Sequence, residues 1–156
     1  MKIRVGDVAP DFTLPDQTGT PVQLRQLLGR RAIVLYFYPK DATPGCALEA
    51  RAFQGSYEAF KEAGAEVVGI SSDSVASHRR FATSEQLAFP LLSDRGGAVR
   101  DLYGVEKTLG VLPGRVTYVI DHAGIVRHIY SSQIMVTRHS SEALDAVRVL
   151  SPAEAP

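Results

Sequence analysis

The sequence predicts an α/β domain in which helices flank a central mixed β-sheet. Three observations lead to this fold class. The first half alternates buried strand-like runs with helical stretches, which is typical of a parallel sheet with crossover helices. Two further strand-like runs enclose a tight turn, which indicates an antiparallel pair. One more amphipathic stretch then closes the chain as a helix.

In the first half, the segment from Arg31 to Tyr38 is a continuous run of apolar, aromatic and β-branched residues after its first position. Such a run predicts a buried strand, which Pro39 ends. The stretch from Ala47 to Ala63 carries apolar residues at helical spacing and predicts a helix. The next strand and helix are predicted at Glu66 to Ile70 and Val75 to Ser84.

The second half predicts a short helix around Ala98 to Tyr103 and then a hairpin. Val116 to Asp121 and Ile125 to Ser131 form the hairpin strands around a turn rich in Asp and Gly. A last helix runs from about Arg138 to Leu150. A β-α-β unit followed by β-β-α is the thioredoxin-like arrangement.

Length and composition set further limits on the fold and on its partners. The chain has 156 residues and no linker-like stretch, so one domain is expected over residues 1–150, with a short frayed tail at 151–156. Seventeen basic and seventeen acidic side chains cancel, and 45% of residues are hydrophobic. Without a basic patch, we expect neither nucleic acid nor a membrane as partner.

Two absences in the sequence bear on location and on disulfide chemistry. The start lacks the apolar stretch of a secretory signal, and the longest apolar run, Ala32 to Tyr38, falls far short of the ~20 residues of a membrane helix. A cytoplasmic location is therefore expected. The single cysteine, Cys46, rules out an internal disulfide framework. Cys46 is then a buried small hydrophobe, half of an intermolecular bridge, or a reactive thiol.

The residues around Cys46 favour the reactive thiol. Thr43 is a good N-cap residue, Pro44 suits the first helical position, and Gly45 lets another atom approach the backbone. The sulfur then lies in the first turn of a helix, where unpaired amide groups and the helix dipole stabilise a thiolate. Because the thiolate is the nucleophile, the pattern indicates a reactive cysteine.

These residues resemble the active-site signature of the peroxiredoxins, which includes Pro39, Thr43, Pro44 and Cys46. The run from Tyr36 to Cys46, Tyr-Phe-Tyr-Pro-Lys-Asp-Ala-Thr-Pro-Gly-Cys, is similar to the bacterioferritin-comigratory-protein (peroxiredoxin Q) subgroup. The resemblance covers nearly the whole chain. It includes the stretches 6–14, 68–71, 89–94 and 115–121, the last of which matches the segment that carries the family's active-site arginine.

The resemblance implies a thiol-dependent peroxidase and a role for each motif residue. Cys46 would attack a peroxide oxygen and become a sulfenic acid, while the Thr43 hydroxyl would hold the peroxide or the sulfur. Arg115 would supply a permanent positive charge beside the thiolate. Pro39 would shield the sulfur from water, and Glu49 would orient the arginine.

Each supporting residue also has a structural alternative. Thr43 could act only as a helix cap, and Arg115 could be an ordinary surface arginine. Glu49 could merely complement the helix dipole, and Pro39 could simply end a strand.

The chain departs from many members of this subgroup, which carry a second, resolving cysteine five residues after the first. Arg51 occupies that position here, so no intramolecular disulfide forms. The sulfenic acid would need an external thiol reductant: a thioredoxin, a glutaredoxin or a small-molecule thiol. A Cys-x-x-Cys disulfide reductase is excluded because Thr43 replaces the first cysteine.

Other chemistries find less support in the sequence. The histidines show no metal-ligand spacing, so no metal or cofactor is expected; His122 is predicted in a turn and His78, His128 and His139 on surface faces. A Cys46–histidine dyad lacks a local signature. The alternative function is a non-catalytic redox sensor that uses Cys46 as an oxidation switch. A monomer or weak homodimer is expected.

Overall fold

The computed structural model describes residues 2–29, 31–107 and 114–150, so the tail predicted at 151–156 lies outside the described residues. The strands are β1 (Thr13–Pro15), β2 (Pro21–Gln23), β3 (Ala32–Phe37), β4 (Ala65–Ser71), β5 (Leu91–Ser93), β6 (Val116–Ile120) and β7 (Val126–Ser131). The helices are α1 (Leu24–Leu27), α2 (Pro44–Gly55), α3 (Tyr57–Glu62), α4 (Val75–Glu85), α5 (Ala98–Tyr103) and α6 (Arg138–Arg148). None of these described helices is long and apolar enough to cross a bilayer.

The central sheet has the order β5-β4-β3-β6-β7 and confirms the predicted mixed sheet. Strand β3 pairs in parallel with β4 and antiparallel with β6, and Tyr36 lies opposite Thr117 across the second pairing. Because β3 and β6 run in opposite directions, the end of β3 and the start of β6 share one edge of the sheet. Pro39 and Arg115 therefore emerge at the same edge.

Both faces of the sheet are covered, which explains why β3 reads as an unbroken apolar run. Tyr36 and Tyr38 point into a core formed with α2, α3, α4 and α6. Ile33, Leu35 and Phe37 point into a second core formed with α1, α5 and the N-terminal segment. All six residues of β3 are buried, so the strand is a rigid base for the loop that follows it.

The structure corrects the prediction of one continuous helix over 47–63. Helix α2 ends at Gly55 and α3 begins at Tyr57, with Ser56 between them in a non-helical conformation. Glycine inside a helix costs about 1 kcal/mol relative to alanine, and serine competes for backbone hydrogen bonds, so the pair Gly55-Ser56 favours a break. Helical spacing alone did not reveal it.

The elements that the sequence did not predict are the β1–β2 hairpin, α1 and β5. Each has only three or four residues. Segments of this length contain too few positions for a hydrophobic period to be read. Strand β5 nevertheless extends the sheet, since it pairs in parallel with β4.

Candidate active site

The loop between β3 and α2 is held by the carboxylate of Asp41. This carboxylate accepts hydrogen bonds from Tyr38 at 2.5 Å and from Ser77 at 2.8 Å, and it lies 2.7 Å from Nδ1 of His78. The Asp41 backbone N–H donates to Asp73 at 2.9 Å. Bonds from several directions fix the turn that leads the chain into α2.

Helix α2 places Cys46 in its first turn, as the sequence predicts. Pro44 is the first helical residue, and Cys46, two positions later, is only 1% exposed. Thr43 occupies the N-cap position, but its hydroxyl donates to the carbonyl of Lys40 at 2.9 Å and does not cap the helix. The predicted N-cap position of Thr43 is therefore confirmed, although its side chain forms no capping hydrogen bond.

Arg115 brings its guanidinium to the sulfur and to a carboxylate. Its Nη2 donates to Sγ of Cys46 at 3.4 Å, and its Nη1 donates to Oε1 of Glu49 at 2.6 Å. All three side chains are buried, so the alternative of a surface arginine is wrong. Gly45 permits this approach, because an added Cβ would lie 3.3 Å from Nη2 of Arg115.

Burial and charge act against each other in this cluster. Burial raises the pKa of Glu49 to about 8, although the charge and the hydrogen bond of Arg115 lower it. Burial alone would lower the pKa of Arg115, but Glu49 and Cys46 outweigh it and raise the value. Arg115 therefore remains protonated beside the sulfur of Cys46.

Two further residues with predicted catalytic roles precede Cys46 in the chain. Pro39 and Thr43 are both half-buried, in the loop that precedes Cys46. Their roles in shielding the sulfur and in holding a peroxide stay predictions.

Two histidines contradict their predicted place on surface faces. His78 and His139 are fully buried. Their helices carry them inward, and for His139 the spacing in sequence gives the reason. His139, Ala143 and Val147 recur every four residues, so they share the face of α6 that packs on the sheet. Sequence reasoning missed this signal because it counted only the apolar members of the stripe.

His139 lies directly beside Glu49. Its Nε2 is 2.8 Å from the carbonyl oxygen of Ser132, and its Nδ1 is 2.8 Å from Oγ1 of Thr117. The same Nδ1 is 3.5 Å from Oε2 of Glu49. Burial lowers the pKa of His139 to about 4, with a smaller contribution in the same direction from the charge of Arg115 and an opposing one from the hydrogen bond to Ser132.

Arg100 is a second buried arginine that sequence reasoning missed. Its guanidinium donates to the carbonyls of Tyr38 at 2.8 Å and Gly114 at 2.9 Å. These two carbonyls lie at the end of β3 and just before Arg115. Arg100 therefore ties together the two segments that carry the site.

One group of side chains within the described ranges could offer three ligand atoms to a metal ion: Asp41, Asp73 and His78. Hydrogen bonds already engage this group, since Asp73 accepts from Ser71 and from the Asp41 backbone. Both carboxylate oxygens of Asp41 are likewise engaged. The arrangement fits a hydrogen-bonded network that shapes the loop.

Comparison with known proteins agrees with this geometry. The profile of the AhpC/TSA family matches residues 5–129. The chain is 50% identical over 150 residues to a chloroplastic peroxiredoxin Q of Triticum aestivum, covering 96% of this chain and 69% of the relative. It is also 50% identical over 150 residues to the chloroplastic peroxiredoxin Q of Sedum lineare, covering 96% and 80%. Because these relatives are named chloroplastic, they do not support the cytoplasmic location expected from the sequence.

Solved structures give the same picture. The crystal structure of peroxidoxin BcpB from Mycobacterium tuberculosis superposes with a TM-score of 0.89 at 41% identity, covering 96% of this chain and 99% of that one. A bacterioferritin comigratory protein of Xanthomonas campestris, studied for alkyl peroxide reduction, gives 0.83 at 33% identity, covering 94% and 96%. The thioredoxin-like fold predicted from the order of elements is thereby confirmed.

Proposed function

The chain belongs to the AhpC/TSA family of thiol-dependent peroxidases, and from this membership we propose that Cys46 alone carries its reduction of hydroperoxides. The observation behind this proposal is the 3.4 Å contact between Nη2 of Arg115 and Sγ of Cys46, in a chain with a single cysteine. A buried thiolate beside a permanent cation is suited to attack a neutral peroxide.

In the proposed step, the Cys46 thiolate attacks the terminal oxygen of the hydroperoxide. The S–O bond forms while the O–O bond breaks, and the sulfur transfers two electrons to the peroxide. The attacked oxygen stays on sulfur with its hydrogen as the sulfenic acid, and the leaving oxygen takes one proton from water and departs as an alcohol, or as water when hydrogen peroxide is the substrate. Arg115 stabilises the negative charge that moves from sulfur to the leaving oxygen.

Thr43 and Pro39 complete the proposed site. The half-buried Thr43 would direct its hydroxyl to the bound peroxide once it leaves the Lys40 carbonyl. Pro39, which lacks a backbone donor, would limit the water around the sulfur. Glu49 would hold Arg115 in place through the 2.6 Å bond.

Recycling needs a partner. Peroxiredoxins use thioredoxin-type reductants, and the proposed one-cysteine route has two steps. A first external thiol condenses with the sulfenic acid, releasing water and forming a mixed disulfide. A second thiol then frees Cys46 and leaves as a disulfide. Arg51, at the position of the absent cysteine, instead pairs with Glu85 at 2.5 Å. We expect a monomer or weak homodimer to perform these steps.

Peroxide consumption with several reductants tests the proposal. Thioredoxin, glutaredoxin and a small-molecule thiol are each supplied to the parent chain and to Cys46→Ser. We expect sustained consumption by the parent with at least one reductant and none above background by Cys46→Ser. If the parent stops after one equivalent of peroxide with every reductant, the catalytic proposal fails and the sensor alternative stands.

The mass of the oxidised chain tests the one-cysteine route separately. Without reductant, excess peroxide should carry Cys46 past the sulfenic acid to sulfinic and sulfonic acids, since no second thiol in the chain traps the sulfenic acid. Intact-mass spectra should show added oxygens on the peptide that contains Cys46. A singly oxidised product that persists under prolonged excess would contradict this route.

A further inference from the structure

Glu49 has one carboxylate oxygen that the mechanism leaves unexplained. The side chain is fully buried, and its Oε1 accepts from Arg115. Its Oε2 accepts no hydrogen bond within the described part of the chain. A buried charged oxygen without a donor is costly. His139 reaches it with Nδ1 at 3.5 Å.

The hydrogen bonds of His139 decide which atom of its ring faces this oxygen with a hydrogen. Its Nε2 faces the carbonyl of Ser132, which only accepts, so Nε2 must carry a hydrogen. In the neutral ring, Nδ1 then has a lone pair. Thr117 can donate its hydroxyl to that lone pair, but an ionised Glu49 cannot. Carboxylate and imidazole would thus present lone pairs to each other.

Groups from several elements surround this pair. The ones that contact the pair or act on its charge are Cys46 of α2, Tyr36 of β3, Arg115 and Thr117 at β6, and Tyr130 of β7; the same strand and α6 also carry His128 and Glu142. Burial raises the pKa of Tyr36, which therefore stays a neutral phenol. His128 and Glu142 face each other at 3.4 Å. Arg115 is thus the cation that touches Glu49.

We propose that His139 is a positioning residue for the peroxide reaction: its Nδ1 and Oε2 of Glu49 share one proton, which sets how much of the Arg115 charge acts on Cys46. The proposal rests on Cys46 as the peroxide-attacking thiol. With the proton present, Glu49 is neutral and the guanidinium faces one anion, the thiolate. With the proton gone, Arg115 divides its charge between two anions.

The electrostatics of the pair support this assignment. Burial raises the pKa of Glu49 to about 8 and lowers that of His139 to about 4. Near neutral pH the shared proton therefore resides on Glu49 and points toward Nδ1 of His139, whose lone pair it shares with the hydroxyl of Thr117. The two groups titrate as one unit, because each changes the proton affinity of the other.

Coupling of this kind must be reciprocal: if the proton on the pair strengthens the thiolate, the thiolate must strengthen the binding of the proton. Nuclear magnetic resonance of isotope-labelled histidine rings can measure this in the reduced full-length protein between pH 5 and 9. We expect a transition in the His139 ring whose midpoint falls by about one pH unit in Cys46→Ser. We expect the transition to vanish in Glu49→Gln.

The His78 ring serves as an internal control, since neither substitution touches its partners. A His139 ring that shows no transition, or the same midpoint with and without the thiolate, overturns the proposal. This readout needs no turnover, so it separates failure of the shared proton from failure of the peroxidase proposal.

Single-turnover peroxide reduction gives a second test. Glu49→Gln mimics the protonated state, because its amide accepts from Arg115 and donates to Nδ1 of His139. The parent rate constant should fall by about fivefold or more as the proton is lost around pH 8, while the rate constant of Glu49→Gln, whatever its absolute value, should show no fall in this range. His139→Asn, which presents a non-titrating N–H, should also lose this pH dependence. Identical profiles for the parent and Glu49→Gln would overturn the proposal, even if His139→Asn failed to fold.

Discussion

The side of the sheet that α2, α3, α4 and α6 cover contains two buried histidine–carboxylate pairs: His78 with Asp41, and His139 with Glu49. In the first pair, the nearest histidine nitrogen and carboxylate oxygen are 2.7 Å apart, and both ring nitrogens face oxygen acceptors. Asp41 also receives hydroxyl bonds on both of its oxygens. In the second pair, the corresponding distance is 3.5 Å, and no residue that the structure describes donates a hydrogen bond to Oε2 of Glu49.

The difference indicates how a buried histidine and carboxylate can either fix a loop or respond to protonation. A fully hydrogen-bonded pair fixes its surroundings, because any change in protonation breaks bonds that nothing replaces. Such a pair suits Asp41, which shapes the loop before Cys46. A pair in which one carboxylate oxygen accepts no hydrogen bond can gain or lose a proton without breaking such a bond. This second kind lies one side chain away from the sulfur, through Arg115.

Removing Arg115, the cation beside the pair of Glu49 and His139, should have the largest effect. We expect Arg115→Gln to lower the rate constant for peroxide reduction by about 10²–10³-fold, since it loses a charge aimed at the developing anion. Stopped-flow measurement of the reduced protein gives this value. Arg127→Gln is the matched control: Arg127 also pairs with a carboxylate, Asp121 at 2.7 Å, but is half exposed. If Arg115→Gln lowers the rate constant by less than tenfold, Arg115 does not have the proposed role in peroxide reduction.

Breaking the fully bonded pair should instead affect folding. Asp41→Asn replaces one oxygen of a buried hydrogen-bonded network by an amide N–H group, and we expect the free energy of unfolding to fall by about 1–3 kcal/mol. Peroxide reduction by the folded fraction should stay within about tenfold of the parent, because the bond between Arg115 and Cys46 is untouched. Urea unfolding measures the first quantity. Glu142→Gln, at a partly exposed pair, should cost less than about 1 kcal/mol. Equal losses in the two variants would contradict the comparison.

The pH dependence of stability sharpens the contrast. The folded pKa of Glu49 is about 8, above its ordinary value of 4.5, so the folded chain binds the extra proton between these values. Stability from this group is present at low pH and is lost as the pH rises toward 8. His139 acts in the opposite sense and only below its ordinary value of 6.5. Between pH 6.5 and 8, Glu49 is therefore the member of the pair that sets whether the free energy of unfolding rises or falls with pH.

We expect the free energy of unfolding to fall over this window with a slope of at most about 1.4 kcal/mol per pH unit. Glu49→Gln should remove that slope, and urea titrations at several pH values measure it. A slope that survives in Glu49→Gln would assign the titration to another group.

The smallest effect is expected at an exposed pair. Arg51 is 60% exposed and forms its bond to Glu85 across the gap between α2 and α4. Solvent screens such pairs, so Arg51→Gln should change the free energy of unfolding by less than about 1 kcal/mol and leave the peroxide rate unaltered. Thermal and urea unfolding check this. A larger loss in the free energy of unfolding would mean that burial does not explain the difference between this exposed pair and the buried ones.

Much of the site could be predicted because its signals are local. The apolar run gives β3, and the Thr-Pro-Gly-Cys sequence places Cys46 at the start of α2. Arg115 and Glu49 were found through their resemblance to a family, since nothing near them in the sequence shows that they meet. Their mutual contact depends on the antiparallel pairing of β3 with β6.

The rest could not be predicted because it depends on packing in three dimensions. Histidine is as common at surfaces as in interiors, so the burial of His78 and His139 required knowledge of which helix faces contact the sheet. Whether Oε2 of Glu49 accepts a hydrogen bond depends on differences of tenths of an ångström in side-chain position, which the sequence does not show. Within the described residues, the hydrogen bonds that the Arg100 guanidinium donates go to backbone carbonyls, and a sequence does not show which carbonyls lie close together.

The contact between Cys46 and Arg115 joins residues 69 positions apart. During synthesis, the cysteine therefore emerges several seconds before its arginine, at about 5–20 residues per second. Until β6 docks on β3, the sulfur has no guanidinium beside it. If Arg115 activates the thiol as proposed, reactivity toward peroxide arises late, when β6 pairs with β3, and we expect the nascent chain to escape oxidation at its single thiol until then.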